Sequence, residues 1–197
     1  MIKQKDNFFK FGEYKLKETS NDAIIQLSFQ EGGKTYGGTG FLIDPTTIIT
    51  AAHNINDTTK LTNDEASILK TEAFGFASIG FSPNPRDLAL IILQPPGILL
   101  ASYITLAVGQ QDVNCLVIGY DASANGLQQG AVGPAQKSNG LYTYRMDTAG
   151  GISGGPLLAS GTQNAIGVHI LGDSEKSNFA AAITAQFIEW VRGEVSA

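Results

Sequence analysis

The sequence predicts an all-β fold followed by one C-terminal helix, on three observations. Short runs rich in Ile, Val, Leu, Phe, Tyr and Thr recur along the chain, and Gly, Pro, Asn or Asp punctuate them. Glycine is abundant at 23 residues, and charged residues make up only 16% of the chain. Many short strands separated by turn residues are typical of a barrel or a sandwich.

Ten runs are predicted to be strands, because each is rich in β-forming residues and each is bounded by turn residues. They are Ala23–Phe29, Thr39–Ile43, Thr47–Thr50, Ala73–Ile79, Leu88–Leu93, Val113–Gly119, Leu141–Met146, Pro156–Ala159, Ala165–Leu171 and Phe179–Ile183. Thr184–Val195 is different, because its apolar residues recur at roughly helical spacing. It is predicted to be an amphipathic helix.

Two segments are predicted to be connections. Gln94–Tyr103 contains two prolines and a glycine, and we expect it to cross between two halves of the molecule. Asp121–Gly140 is rich in Gly, Ala, Ser, Asn and Gln, and we expect a mobile surface loop there.

The bulk composition argues against several classes of function. A chain of 197 residues with 43% hydrophobic residues can form one compact domain or two small fused barrels. The net charge of −5 and the scattered lysines argue against a nucleic-acid partner, and no apolar run has the length of a membrane span. One cysteine and two histidines are too few for a metal cluster. The sequence therefore predicts no cofactor, no metal and no membrane partner.

The redox state of the cysteine and the cellular location of the protein follow less directly from the sequence. Cys115 is the single cysteine, so no internal disulfide can form, and its apolar surroundings predict a buried, inert thiol. Residues 1–15 lack the apolar stretch of a secretion signal. The location stays open between secretion, export without such a signal, and the cytoplasm.

The segment Gly150–Pro156 places a serine, Ser153, among four glycines. A serine on such a turn is not shielded by neighbouring side chains. The N–H groups of Gly151 and Ser153 can then converge on one point, as the oxyanion hole of an acyl-transfer enzyme requires. Taken alone, the motif fits a Gly-rich hairpin turn equally well.

A histidine and an aspartate stand at the ends of two other predicted strands. His53 follows an apolar run and two alanines, and Asp87 directly precedes the apolar run Leu88–Leu93. A partly buried carboxylate must find a donor, and a histidine N–H that fills this role leaves the other ring nitrogen free as a base. Singly, His53 also fits a buried core histidine and Asp87 a turn cap. The order His, Asp, Ser in one chain is far more specific than each signal alone.

The three blocks Thr50–His53, Asp87–Leu90 and Gly151–Pro156 resemble the signature motifs of the trypsin/chymotrypsin-like serine proteases. The similarity extends from about Ala23 to Val195. The resemblance implies two antiparallel six-stranded β-barrels with a C-terminal α-helix, and an active site in the cleft between the barrels. The predicted organisation is an N-terminal extension or pro-like segment at 1–22, a first barrel at 23–95, a second barrel at 96–183 and the helix at 184–197.

The same resemblance implies the chemistry. His53, Asp87 and Ser153 are expected to form the catalytic triad, with Gly151 and Ser153 as the oxyanion hole. The expected partner is a protein or peptide substrate, cleaved through an acyl-enzyme. A catalytically silent protein with this fold, used for binding, is the alternative from another functional class, and the presence of all three residues argues against it.

The second histidine suggests a specificity. The segment Gly167–His169 resembles the Gly-x-His of the glutamyl endopeptidases, which accepts an acidic side chain, and Thr148 matches a threonine of that pocket. The resemblance therefore implies cleavage after Glu, with Thr148 and His169 in the S1 pocket. Cleavage after Gln or a small aliphatic residue, and a purely structural His169, are the alternatives. Strand alternation predicts that Asp147 points outward.

Overall fold

The structure, a computed structural model, describes residues 17–55, 58–62, 66–75, 82–123, 126–172 and 177–196. The strands of the N-terminal half are β1 (Lys17–Glu18), β2 (Ile24–Glu31), β3 (Lys34–Asp44), β4 (Thr47–Thr50), β5 (Lys60–Leu61), β6 (Ile68–Ala73) and β7 (Ala89–Leu93). Those of the C-terminal half are β8 (Thr105–Leu106), β9 (Asp112–Asp121), β10 (Leu127–Ser138), β11 (Leu141–Tyr144), β12 (Pro156–Ala159), β13 (Asn164–Gly172) and β14 (Asn178–Ala182). The helix α1 (Ala185–Ser196) follows β14.

The N-terminal sheet is antiparallel, with the strand order β5-β2-β3-β4-β7-β6. Strand β7 is its most apolar member, and four of its five residues are buried. Within the described residues no pairing joins the two edge strands, β5 and β6, so this sheet is a half-barrel there. The expectation of two full barrels is therefore not confirmed for this half.

The C-terminal sheet closes on itself. The order β10-β11-β14-β13-β12-β9 returns to β10 through a ten-residue ladder between β9 and β10, which makes a six-stranded barrel. Strand β1 adds to β10, and β8 pairs with β13 in parallel. The second expected barrel is thus confirmed, and it has two extra edge strands.

The expectation of a mobile loop at Asp121–Gly140 was wrong over most of its length. Strand β10 occupies Leu127–Ser138 and pairs with both β9 and β11. Its small residues Ala131, Gly133 and Ala135 are buried, whereas the residues between them are exposed. Period-two alternation of small residues thus makes a barrel strand here, although the composition is that of a loop.

The other predicted strands agree with the structure to within a few residues, with one exception. Ala73–Ile79 was predicted to be a strand, but β6 ends at Ala73, and 76–81 lie outside the described residues. The predicted helix is confirmed as α1. The Thr184 hydroxyl caps it by accepting the N–H of Phe187 at 3.1 Å.

The described residues form two hydrophobic clusters, one shared by the two halves and one within the C-terminal barrel. Buried residues of both sheets and of α1 belong to the same cluster, and the ring of Phe187 on α1 meets that of Phe74 at 5.3 Å. Cys115 is fully buried, as expected, and burial raises the pKa of its thiol to about 12. None of the helices in the described ranges has the length and apolarity that a bilayer crossing needs.

Candidate active site

His53 lies just beyond β4, on the short 3-10 turn Ala52–Asn54. Strand β4 pairs with β7, with Thr50 opposite Ala89. The end of β4 and the start of β7 are therefore side by side. Asp87 lies two residues before β7, in a turn where its N–H donates to the carbonyl of Asn84 at 3.1 Å. Adjacent strand ends thus bring together two residues that are 34 positions apart.

Asp87 receives two hydrogen bonds from His53. Its Oδ2 lies 2.7 Å from the ring Nδ1, and its Oδ1 accepts the backbone N–H at 3.0 Å. The carboxylate is 4% exposed, and the His53 side chain keeps 30% of its surface accessible. This arrangement favours the tautomer with its proton on Nδ1, which leaves Nε2 without a proton and able to accept one.

Ser153 lies on the loop between β11 and β12, and this loop is bonded directly to the turn that carries His53. The carbonyl of Ser153 accepts the side-chain amide of Asn54 at 2.7 Å and the N–H of Thr39 at 2.8 Å. In the described residues the Ser153 hydroxyl makes no hydrogen bond to His53, so the link between their segments runs through Asn54. Catalytic hydrogen bonds often tighten only when substrate binds.

The backbone of the Ser153 loop is anchored at its carbonyls. The Gly150 carbonyl accepts the N–H of Ala122 at 2.9 Å, and the Gly151 carbonyl accepts the Thr39 hydroxyl at 2.7 Å. Gly151 has a φ of +97°, which L side chains rarely adopt, and a Cβ there would lie 2.5 Å from the Tyr120 carbonyl oxygen. The turn therefore requires glycine at this position.

The N–H groups of the loop fall into two sets. Those of Ile152, Gly154 and Gly155 donate to carbonyls of Ala149, His169 and Ile152, respectively. Those of Gly150, Gly151 and Ser153 have no acceptor among the described residues. The second set includes Gly151 and Ser153, the pair predicted to be the oxyanion hole, and unbonded N–H groups are what such a hole requires.

His169 lies on β13, alongside the Ser153 loop. Its carbonyl accepts the N–H of Gly154 at 2.7 Å, and its own N–H donates to Gly155 at 2.8 Å. The ring is buried, and Nδ1 lies 2.6 Å from the hydroxyl of Tyr144. Burial first, and then the nearby charge of His53, lower the pKa of His169 to about 3, although a backbone hydrogen bond to Phe179 acts the other way. His169 is therefore neutral at neutral pH.

The remaining predicted pocket residues are buried near the same loop. The hydroxyl of Thr148 is inaccessible and has no hydrogen-bond partner among the described residues, which leaves its hydrogen-bonding capacity unused. Asp147 was expected to point outward, and this was wrong because the residue is 5% exposed. Tyr144 was not anticipated; its alternation with Tyr142 predicts a shared face, but no local motif marks the contact with His169.

Within the described parts of the chain, no group of three or more His, Cys, Asp or Glu side chains is arranged to hold a metal ion. The site presents a serine hydroxyl, an imidazole paired with a carboxylate, and the unbonded N–H groups of Gly151 and Ser153.

Comparisons with known proteins indicate a trypsin-like peptidase domain. A family model described as a trypsin-like peptidase domain matches residues 38–168, and no curated protein sequence is significantly similar. Among solved structures, a Glu endopeptidase has a TM-score of 0.72 at 19% identity, over 94% of this chain and 99% of that one. Protease Anisep from Arthrobacter nicotinovorans has a TM-score of 0.72 at 15% identity, over 92% and 99%. An inactivated scabies mite protease paralogue has 0.69 at 13%, over 91% and 98%. At these identities the likeness shows the fold.

Proposed function

Because the chain belongs to the family of trypsin-like peptidase domains, we propose that it is a serine endopeptidase whose catalytic triad is His53, Asp87 and Ser153. The observation that carries the proposal is the 2.7 Å hydrogen bond between His53 and the buried carboxylate of Asp87, next to a Gly-flanked serine. The loop of that serine is bonded to Asn54, the residue after His53.

The chemistry follows from these positions. His53 Nε2 takes the proton of the Ser153 hydroxyl while the oxygen attacks the scissile carbonyl carbon. Asp87 stabilises the resulting imidazolium, and the N–H groups of Gly151 and Ser153 bind the oxyanion. The imidazolium gives its proton to the leaving amine as the C–N bond breaks. Water, activated by the same imidazole, then hydrolyses the acyl-enzyme.

The proposed first-pocket preference is for Glu. The neutral His169 has its Nδ1 occupied by Tyr144, so its other nitrogen can donate to a substrate oxygen, in competition with the backbone of Phe179. The unpartnered hydroxyl of Thr148 supplies a second hydrogen bond. Buried groups of this kind discriminate against apolar side chains, which leave them unsatisfied. The Glu endopeptidase among the structural relatives supports the same preference.

A preference for Gln is the second candidate, and one observation favours it. His169 is buried and neutral, so a carboxylate entering beside it loses its hydration without meeting a positive charge. A carboxamide accepts the same hydrogen bond and carries no charge. Burying a carboxylate beside the neutral His169 therefore costs more desolvation free energy than burying a carboxamide.

The proposed activity is tested with a fluorophosphonate, which reacts with activated serines. We expect one labelled residue, Ser153, and we expect Ser153→Ala to abolish both labelling and the cleavage of a denatured protein mixture. Ser160→Ala is the matched control, because Ser160 is an exposed serine at the end of β12, and it is expected to label like the wild type. A wild type that stays unlabelled, also after limited proteolysis, would support the silent binding protein instead.

The proposed specificity is tested with peptides that differ only in Glu, Gln or Leu before the scissile bond. We expect His169→Ala to lower kcat/KM for the preferred polar residue by about tenfold to a hundredfold, with a much smaller loss for Leu. Tyr144→Phe is the milder second variant, because it keeps the imidazole and leaves no cavity. Equal losses for all three peptides in both variants would assign His169 a structural role.

A further inference from the structure

Thr39, on β3 of the N-terminal sheet, is hydrogen-bonded to two residues of the nucleophile loop, which is the loop between β11 and β12 that carries Ser153. It is fully buried. Its hydroxyl donates to the Gly151 carbonyl at 2.7 Å and accepts the N–H of Tyr120 at 2.9 Å, while its backbone N–H donates to Ser153 at 2.8 Å. A single residue of the first sheet thus anchors two peptide units of a loop that belongs to the second barrel.

Asn54 makes the second connection. It is 1% exposed, and its side-chain amide donates to the Ser153 carbonyl at 2.7 Å and to the hydroxyl of Thr50 at 3.1 Å. The Thr50 hydroxyl donates in turn to the Thr39 carbonyl at 2.7 Å. The residue that follows His53 is therefore joined to Thr39 and to the nucleophile loop by one continuous set of hydrogen bonds.

Two glycines make room for this set of hydrogen bonds. A Cβ on Gly38 would lie 2.8 Å from the Asn54 amide nitrogen, closer than real Cβ contacts are found. A Cβ on Gly154 would overlap the Thr39 carbonyl oxygen and crowd the Asn54 amide. The amide thus lies in a socket that allows no larger side chain at either position.

We propose that Thr39 and Asn54 are positioning residues that set the nucleophile loop against His53. This inference rests on the proposed serine endopeptidase function. The Thr39 hydroxyl holds the carbonyl of Gly151, the residue whose N–H belongs to the proposed oxyanion hole. Thr39 and Asn54 both hold the carbonyl of Ser153. They touch neither substrate nor reacting atoms, so they act only through the geometry of the serine and the oxyanion hole.

A small displacement of the loop is expected to slow acylation while leaving binding intact. The geometry between nucleophile, base and carbonyl carbon must hold to a fraction of an ångström, and a 1 Å error can lower the rate by about a hundredfold. Among the described residues Thr39 makes no hydrogen bond to Thr148 or His169, the residues proposed to bind the substrate side chain. With a probe that reacts covalently with the serine, the loss is therefore expected in kinact, the maximal rate of reaction. It is not expected in KI, the probe concentration that gives half of that rate.

The test measures kinact, KI and the final labelled fraction with a fluorophosphonate. We expect Thr39→Val, which removes only the hydroxyl, to lower kinact by about tenfold to a hundredfold, with unchanged KI and labelled fraction. Thr39→Ser restores the hydroxyl and is expected to restore the rate. Thr47→Val is the matched control, because Thr47 is equally buried on β4 but its hydroxyl bonds to none of the described residues.

Asn54→Asp is the second variant, in case Thr39→Val does not fold. Its carboxylate cannot donate to the Ser153 carbonyl, so kinact is expected to fall. The kinact of Asn54→Asp should recover relative to that of the wild type at low pH, because the protonated carboxylic acid can again donate to the Ser153 carbonyl. Wild-type kinact in both variants, or a loss seen only as a lower labelled fraction, would overturn the inference. An unlabelled wild type would instead remove the proposed function, and the inference with it.

Discussion

His53 and His169 have opposite surroundings. His53 keeps 30% of its side chain exposed, and its Nδ1 faces a carboxylate, Asp87, at 2.7 Å. His169 is 2% exposed, and its Nδ1 faces a phenol, Tyr144, at 2.6 Å. Burial and the charge of His53 lower the pKa of His169 to about 3, and burial raises the pKa of the Tyr144 hydroxyl well above its ordinary value.

The difference shows how the same type of side chain, a histidine, can take two different roles within one site. A carboxylate beside an imidazole stabilises the imidazolium that forms when the ring accepts a proton. A phenol in a buried site gives no such stabilisation, and burial together with the charge of His53 keeps the His169 ring neutral. His53 is thus suited to move protons, and His169 is suited to donate a fixed hydrogen bond. The partner of each ring, Asp87 or Tyr144, and the exposure of that ring together decide what the histidine can do.

The largest expected effect comes from altering the partner of His53. In Asp87→Asn the amide can still accept the His53 backbone N–H with its oxygen, but its NH2 group then faces Nδ1. The ring is forced into the wrong tautomer, with its proton on Nε2, and it cannot act as a base. We expect kcat to fall by about 10⁴-fold with little change in KM, as such a tautomer change implies. Steady-state kinetics measure the loss.

Asp44→Asn is the control for this prediction. The Asp44 carboxylate accepts the N–H of Thr46 at 2.8 Å in the turn between β3 and β4, away from both histidines, so normal kcat is expected. A loss below about tenfold in Asp87→Asn would mean that Asp87 does not set the His53 tautomer, and the contrast between the two histidines would lose its basis.

The fold could be predicted from the sequence where the local pattern was strong. Strands such as β4 and β12 were predicted to the residue because their apolar runs are bounded sharply by turn residues. Strand β10 was missed because its inward positions are filled by Ala and Gly, which carry no strand preference. Its ten-residue pairing with β9 outweighs that weak local preference.

The residues of the candidate site also divide into those that a local sequence pattern marks and those that it does not. His53, Asp87 and Ser153 each stand in a recognisable local motif, so the sequence could nominate them. Thr39 and Asn54 stand in no such motif, because they act through contacts with residues about a hundred positions away, 112 from Thr39 to Gly151 and 99 from Asn54 to Ser153. Only the packing of one sheet against the other reveals these contacts.

The smallest expected effect is on the pH dependence of the free energy of unfolding, and it comes from the titration of His169. In the unfolded chain its pKa is near the ordinary value of 6.5, whereas in the folded protein it is about 3. Between these values the unfolded chain holds a proton that the folded protein does not. The free energy of unfolding is therefore expected to fall as the pH drops from about 6.5 towards 3, by about 1.4 kcal/mol per pH unit from this group.

His169→Gln separates this contribution from those of the carboxylates, because glutamine does not titrate. We expect the difference in unfolding free energy between wild type and variant to shrink by about 2 kcal/mol from pH 7 to pH 5, measured by urea unfolding at each pH. His53→Gln in the wild-type background sharpens the result. Without the charge of His53 the pKa of His169 rises, so the pH range over which this group lowers the stability should end at a higher pH. If wild type and His169→Gln instead lost stability in parallel on acidification, His169 would be accepting a proton while folded, and it would not be the neutral partner of the pair.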